Sequence, residues 1–498
     1  MNNQFDLRLF PLENSSRKEV ALIYESIKDQ PIISPHGHIP FGWFQQNHQF
    51  ANATELFISP DHYVTRVLHA HGVSNAILGV GGHALSDKQS REAFRILAQH
   101  WVDFAGTPMR YWLEEELQGV FGITESLSEK TADRIYDEIG EKLASPEYGT
   151  LSLLKRFNIS FISTTNDPTD NLEEYDAINS DADIPYIVAP AFRPDAYLEP
   201  GKPGWSDLVS HLGASAGIDT RTYDGFLKAM RRRRQYFRQH GAVLSDHSHA
   251  DLGSERLSQE KVAQLYEQAV RGAISEKDAQ SLRRHLFNDQ ARLAQEDGLV
   301  MTVHPAVYRD YDAKSAVQLG HDIGSDIPAQ AFFSRDLKPL LNEYGNNPDF
   351  HFVAFTIDET NFARDIAPLA GYFPSFYIGV PWWFLDAPES LYRFYNEVVP
   401  YAGFTKLSGM IDDTRALCSI PARHDMSRRI ISGVLARLVV DRRLGHEEAL
   451  RIAHDFVDEL PRKVFKLDRE QFVAPVSANK MLVASRSIPA DSSLSNSR

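Results

Sequence analysis

Pro31-Ile-Ile-Ser-Pro-His-Gly-His38 is an apolar run of strand length that ends in a His-x-His pair. Residues i and i+2 of a strand share a face, so His36 and His38 aim to the same side of whatever sheet this run joins. Runs of the same kind recur at residues 159–164, 184–192, 242–247, 299–304, 350–357, 375–380 and 404–411. Longer amphipathic stretches, such as 206–240 and 258–297, lie between them. Short apolar runs alternating with helical stretches specify an α/β chain with a parallel sheet. Eight such units predict a (β/α)₈ TIM-type barrel.

The spacing is uneven. No convincing strand falls in about 41–152, while residues 87–105 and 130–143 read as helix. The expected division is therefore 1–40 as N-terminal segment and first strand, 41–152 as a large helical insertion after strand one that caps the barrel, 153–475 as the rest of the barrel, and 476–498 as a tail. The tail's end, SIPADSSLSNSR, has the composition of a disordered segment. Glycines 79, 81 and 82 lack the full dinucleotide fingerprint and read as a loop turn.

Composition narrows the partners. The chain has 498 residues, 43% of them hydrophobic, and a formal net charge of −15, which argues against nucleic acid. No stretch of about 18 apolar residues predicts a membrane span, and the N-terminus lacks the apolar core of a signal peptide. Cys418 is the single cysteine, so neither an intrachain disulfide nor a cysteine-based zinc site is available. A cytoplasmic location, a small-molecule substrate and assembly as a homo-oligomer are expected. The basic run Arg231 to Arg234 reads as a solvated helix face with acidic neighbours.

Chemistry-bearing residues gather where the predicted strands end, the rim that carries active sites in such barrels. These are His36 and His38, then Asp246 and His247, then His304, then Asp412 and Asp413. One histidine at a strand end is usually a hydrogen-bonded packing residue; several converging with an acid suggest a site. Two imidazoles on one face can share a divalent cation, and a carboxylate from another strand would leave positions open for water or substrate. Asp413 is the carboxylate we select.

The segments DQPIISPHGHIP, SPDHYVTRVLHAHGV, FISTTNDPTDNLEEY, AFRPD, LSDHSH, GVPWWFLD and GMIDDTRALCSIPARHDMSRR together resemble the uronate isomerases (glucuronate isomerases) of the amidohydrolase superfamily. The resemblance implies a barrel with a helical insertion after strand one, and an aldose–ketose isomerase of hexuronates (D-glucuronate to D-fructuronate, D-galacturonate to D-tagaturonate). It implies His36, His38 and Asp413 as ligands of one divalent metal ion. Zinc is the expected ion, although such ligands suit manganese, iron or cobalt as well. It further implies Tyr63 and Asp413 as proton-handling groups, and His62, Arg193, Trp382, Trp383 and Arg415 as substrate-positioning residues.

Arg193 and Arg415 suit the bidentate grip of a substrate carboxylate, with Arg415 also placed to act in the chemistry beside Asp413. The bland alternative for Arg415 is a structural salt bridge with Asp412 or with a helix C-terminus. Arg309, His247 and His304 are further substrate-binding candidates. Of Trp382 and Trp383, one is expected in the core and the other against the sugar.

Three places depart from the family's commoner pattern: the VHPAVYRDYD segment, Asn166, and the acidic run Glu114 to Glu116. They bear on substrate preference. No lysine ends strand four and residues 356–359 hold no histidine, so one metal is expected rather than two. Moving the carbonyl from C1 to C2 by proton transfer through a cis-enediol is the expected route, with a hydride shift the other. The alternatives to an isomerase are a metal-dependent amidohydrolase or deaminase and, further off, a non-catalytic sugar-acid-binding protein.

Overall fold

The computed structural model describes residues 8–10 and 14–467. The expected tail, 476–498, lies outside them. Seven parallel strands form one curled sheet in the order β1 (Ile32–Ser34), β2 (Ile159–Asn166), β3 (Ile187–Phe192), β4 (Leu244–His247), β5 (Val300–Val303), β8 (Phe352–Ala354) and β9 (Phe376–Ile378). A two-stranded antiparallel ribbon, β6 (Val307–Tyr308) with β7 (Ile327–Pro328), stands apart. Each of the first seven predicted runs coincides with one strand of the parallel sheet, β2 running two residues further than expected. These strands are buried almost end to end because helices cover the sheet, and their continuous apolar character reflects it.

The eighth predicted run behaves differently. Phe404–Lys406 is a 3₁₀ turn, and one parallel bridge, Leu407 to Ile378, is all the sheet pairing assigned to it. Gly409 follows at φ 78, a left-handed conformation that ends an extended run. A Cβ there would lie 3.1 Å from Phe456 O and from Pro461 Cδ, so the close approach also favours glycine. Side chains and single backbone bonds hold the segment instead. Lys406 Nζ donates to the carbonyls of Phe373, Pro374 and Phe376, and His38 N donates to Thr414 O at 3.0 Å.

Between β1 and β2 the described chain is helical. Asp87–Gln99 begins with a capping box in which Ser86 and Gln89 satisfy each other's backbone, and Ala132–Leu143 packs on it. Two long helical predictions each divide in two. The first becomes Trp205–Ala216 and Tyr223–Gln239, separated at Gly217 (φ 64); the second becomes Gln259–Val270 and Glu276–Asp297, separated at Gly272 (φ 68). The arginine run on Tyr223–Gln239 is only half a solvated face. Arg231 pairs with Glu296, but Arg234 is buried against Asp297 at 2.5 Å and Arg233 donates to Pro168 O and Asp170 O. No helix among the described residues is long and apolar enough to cross a membrane.

One stack links the sheet to the histidine pair. Phe355, just beyond β8, lies parallel to His304 at 4.4 Å between ring centroids, and His304 stacks on His36 at 4.3 Å. Gly379 makes room for this: a Cβ there would overlap the Phe355 ring. Gly379→Ala should therefore lower stability by about 1–3 kcal/mol, as overpacking a full core does. An unchanged thermal-unfolding midpoint would contradict that packing.

Candidate active site

The strand ends open into a cavity of about 720 Å³. Nine of the residues singled out above line it: His38, His62, Tyr63, Arg193, Arg309, Trp382, Trp383, Asp413 and Arg415. His36, His247 and His304 do not; each is buried beneath or beside it. Direct substrate contact by His247 and His304 is thus not what this arrangement offers.

At the floor, Asp413 Oδ1 lies 3.0 Å from His36 Nε2 and 3.0 Å from His38 Nε2. Neither contact has hydrogen-bond geometry, which leaves that oxygen buried and unpartnered. Two imidazole nitrogens converging on an orphaned carboxylate oxygen form the donor set of a divalent cation, so the residues present fit a metal. Asp413 sits at φ 45, a left-handed conformation costing roughly 1–2 kcal/mol for a residue with a Cβ. Burial pushes its carboxyl up, but His36 and His38 outweigh that and hold it well below the usual carboxylate range. Burial lowers His38 to about 4, so its ring is neutral and able to coordinate. Thr165 Oγ1, 3.2 Å from His38 Nδ1, orients the ring.

Beneath the pair lies Asp246, fully buried at the end of β4. It accepts from Thr302 Oγ1 at 2.7 Å, and its Oδ1 lies 2.8 Å from His304 Nδ1 and 3.9 Å from His36 Nδ1. Burial opposes its charge, yet His304, His36 and Arg193 together hold it well below the carboxylate range.

A second group faces the cavity from the helix His62–Ala70. Asp61 caps that helix, accepting from Tyr63 N and Val64 N, and so fixes where its first turn points His62 and Tyr63. The Tyr63 hydroxyl donates to Asp386 Oδ2 at 2.7 Å, and Arg423 Nη1 donates to the same oxygen at 2.8 Å. Arg423 is fully buried and lies over the Trp112 ring at 3.7 Å and the Tyr63 ring at 4.5 Å. Burial and the Asp386 charge keep the Tyr63 phenol neutral, well above its ordinary pKa. Burial, with Arg415 nearby, lowers His62 to about 4. Asp386 and Arg423 stood inside the quoted GVPWWFLD and PARHD segments, but no spacing rule connects positions 37 residues apart.

All three candidate arginines are already paired. Arg193 Nε donates to Asp195 Oδ2 at 2.9 Å and Nη1 lies 3.4 Å from Asp246 Oδ2; Arg309 donates to Asp326 at 2.5 Å; Arg415 pairs with Asp322. Asp412, the alternative partner for Arg415, lies instead 3.2 Å from His424 Nε2. Both tryptophans line the cavity, where one was expected in the core, and each leaves its indole N–H without a partner. Trp383 and Phe384 adopt φ 32 and 72, a left-handed kink at the cavity wall.

Removing Arg423 tests the buried clamp. Arg423→Met strands the Asp386 carboxylate, and losing one member of a buried ion pair costs about 3–5 kcal/mol. A lower unfolding midpoint is expected, largely restored by adding Asp386→Asn. An unchanged midpoint in Arg423→Met, or an Arg423→Met/Asp386→Asn variant no more stable than Arg423→Met, would contradict the clamp.

Comparison with known proteins agrees in sequence and in fold. The family model described as glucuronate isomerase matches residues 3–465. A uronate isomerase from Cutibacterium acnes is 53% identical over 460 residues, covering 92% of this chain and 98% of that protein. The crystal structure of glucuronate isomerase from Caulobacter crescentus superposes with a TM-score of 0.90 at 38% identity, covering 94% of this chain and 98% of that one. A uronate isomerase structure from Thermotoga maritima gives a TM-score of 0.86 at 27% identity, covering 92% and 99%. With a family match running almost from end to end and this fold beneath it, the chain belongs to the glucuronate isomerase family.

Proposed function

We propose that this chain interconverts hexuronate aldoses and ketoses, D-glucuronate with D-fructuronate and D-galacturonate with D-tagaturonate, by proton transfer through a cis-enediol. The observation that carries the reading is one cavity holding a proton acceptor, Asp413, a neutral proton donor, Tyr63, and three arginines for a fixed negative charge. His36, His38 and Asp413 would hold one divalent cation, with zinc the expected ion. Such an ion, when bound, would supply Lewis-acid polarisation of the substrate carbonyl.

The residues divide the work by chemistry. An Asp413 oxygen takes the proton from C2 of the aldose and returns it to C1. Two close imidazoles make Asp413 a weak base, so its reactivity depends on being placed against a proton made acidic by the neighbouring carbonyl. The Tyr63 hydroxyl, aligned by Asp386 and Arg423, hands protons between O1 and O2. Arg193, Arg309 or Arg415 grips the distal carboxylate by exchanging its present acid for the substrate's. The Trp382 and Trp383 side chains offer apolar walls to the sugar. His247 and His304 act from behind, His304 by holding Asp246 and stacking on His36.

Architecture and setting belong to the same reading. We take residues 407–411 as the eighth stave of a (β/α)₈ barrel and residues 41–152 as its cap. A cytoplasmic home suits the lone buried thiol of Cys418, and homo-oligomeric assembly would be read from mass in solution. A hydrolase of the same superfamily is disfavoured because an activated-water site has no need of three cavity arginines.

Purified protein given D-glucuronate or D-galacturonate should form the ketose. Hydrolysis of amides or lactones without any ketose would overturn the reading. In D₂O the ketose should carry deuterium at C1, because the proton held on Asp413 exchanges with solvent before it is returned; a product free of label would speak for a hydride shift or for a proton shielded from exchange. Tyr63→Phe keeps the Arg423–Asp386 pair and should lower kcat by about 10²–10⁴-fold, the usual worth of a general acid–base group; a wild-type kcat would remove Tyr63 from the chemistry. Chelation should lower activity and readdition of the ion restore it, and activity indifferent to chelator would reject a required metal.

A further inference from the structure

A second His-x-His stands at the end of β4, His247-Ser248-His249, and it does not line the cavity. His247, His249 and Asp195 bring one potential ligand atom each within 4.8 Å of the others. His247 is buried with neither ring nitrogen partnered, and His249 Nε2 is likewise buried and unpartnered. The other nitrogen of that ring, Nδ1, lies 3.0 Å from Glu199 Oε1. If Nδ1 carries the proton and donates to Glu199, the Nε2 lone pair faces Asp195 Oδ1 across 3.5 Å. A lone pair aimed at a carboxylate oxygen with nothing between them is repulsive, and three buried nitrogens without partners go against ordinary practice in folded proteins.

A cation between these groups removes the repulsion and partners two of the three nitrogens, His249 Nε2 and one of His247. The Nε2–Oδ1 separation is close to the roughly 3.3 Å expected between two ligand atoms about 2.0–2.1 Å from a tetrahedral zinc. Glu199 then stands as the outer carboxylate that sets the tautomer of a metal-bound histidine. Asp195 lines the cavity, which gives an ion a way in. It would not be freed of its other bonds: Arg193 Nε and Ser248 N both donate to it. We propose that His247, His249 and Asp195 form a second divalent-cation site, of zinc or cobalt chemistry, separate from His36, His38 and Asp413. Its ion ties the 3₁₀ turn Asp195–Leu198 after β3 to the loop after β4. The proposal does not depend on which reaction the cavity performs.

The test is metal stoichiometry of the full chain with cobalt(II) or zinc alone, by equilibrium dialysis and elemental analysis, with the visible band of cobalt as a second readout. Wild type should take up two equivalents. The variant His36→Asn/Asp413→Asn should keep one, and its unfolding midpoint should rise with added ion. Adding His249→Asn to that variant should abolish the remaining equivalent. Glu199→Gln, which preserves size, should weaken the second equivalent by about 10–100-fold and leave the first alone. A single equivalent in wild type, with none in a His36→Asn/Asp413→Asn variant that keeps the native circular dichroism spectrum, would overturn the proposal. So would two equivalents that His249→Asn leaves in place.

Discussion

Two imidazoles converge on one buried carboxylate oxygen, and much of the site is arranged around that contact. A carboxylate taken out of water carries a desolvation cost of several kcal/mol unless opposite charge or donors surround it. Asp413 meets His36 and His38 and accepts a left-handed backbone to do so. His36 is in turn stacked on His304, which lies against Phe355 on one side and Asp246 on another. The sheet thus fixes the pair through rings and one buried anion, as a rigid first shell needs a packed second one.

Above this floor each cavity arginine is already paired before substrate arrives. Asp195, Asp322 and Asp326 each occupy an arginine. An incoming carboxylate therefore meets guanidinium groups held in place by acids, and must share or displace them. Such pairing limits the gross affinity available from charge, because every new ion pair replaces an old one. It also restrains long side chains that would otherwise lose rotamer entropy on binding. Tyr63 lies under a stronger constraint, since Asp386 and Arg423 grip its hydroxyl and ring from a region that water does not reach.

Seven strands were legible because burial on both faces writes continuous apolar runs. The eighth run joins the sheet through the bridge from Leu407 to Ile378, and Gly409 then breaks the extended backbone between the apolar Leu407 and Met410. His36, His38 and Asp413 could be read because strand alternation and strand ends are local features. Asp386, Arg423, Asp322 and Asp326 could not, because their roles arise where loops and the helix Ser419–Val440 meet in space. Asp246 lay one residue before His247 in plain view, but its part depends on Thr302 and His304 of the neighbouring strand. The Arg231 to Arg234 run failed for a related reason: a helix that looks polar on one side turned two of its arginines inward, where Asp297 and backbone carbonyls receive them.

The central claim is that the orphaned Asp413 oxygen marks the position of a cation held by His36 and His38. An anomalous-difference map of crystals grown with zinc, with data on both sides of the zinc absorption edge, addresses it directly. The account predicts a peak about 2.0–2.2 Å from Asp413 Oδ1 and from both Nε2 atoms. A map with no peak there, and with Asp413 still resting against the two bare imidazoles, would contradict it.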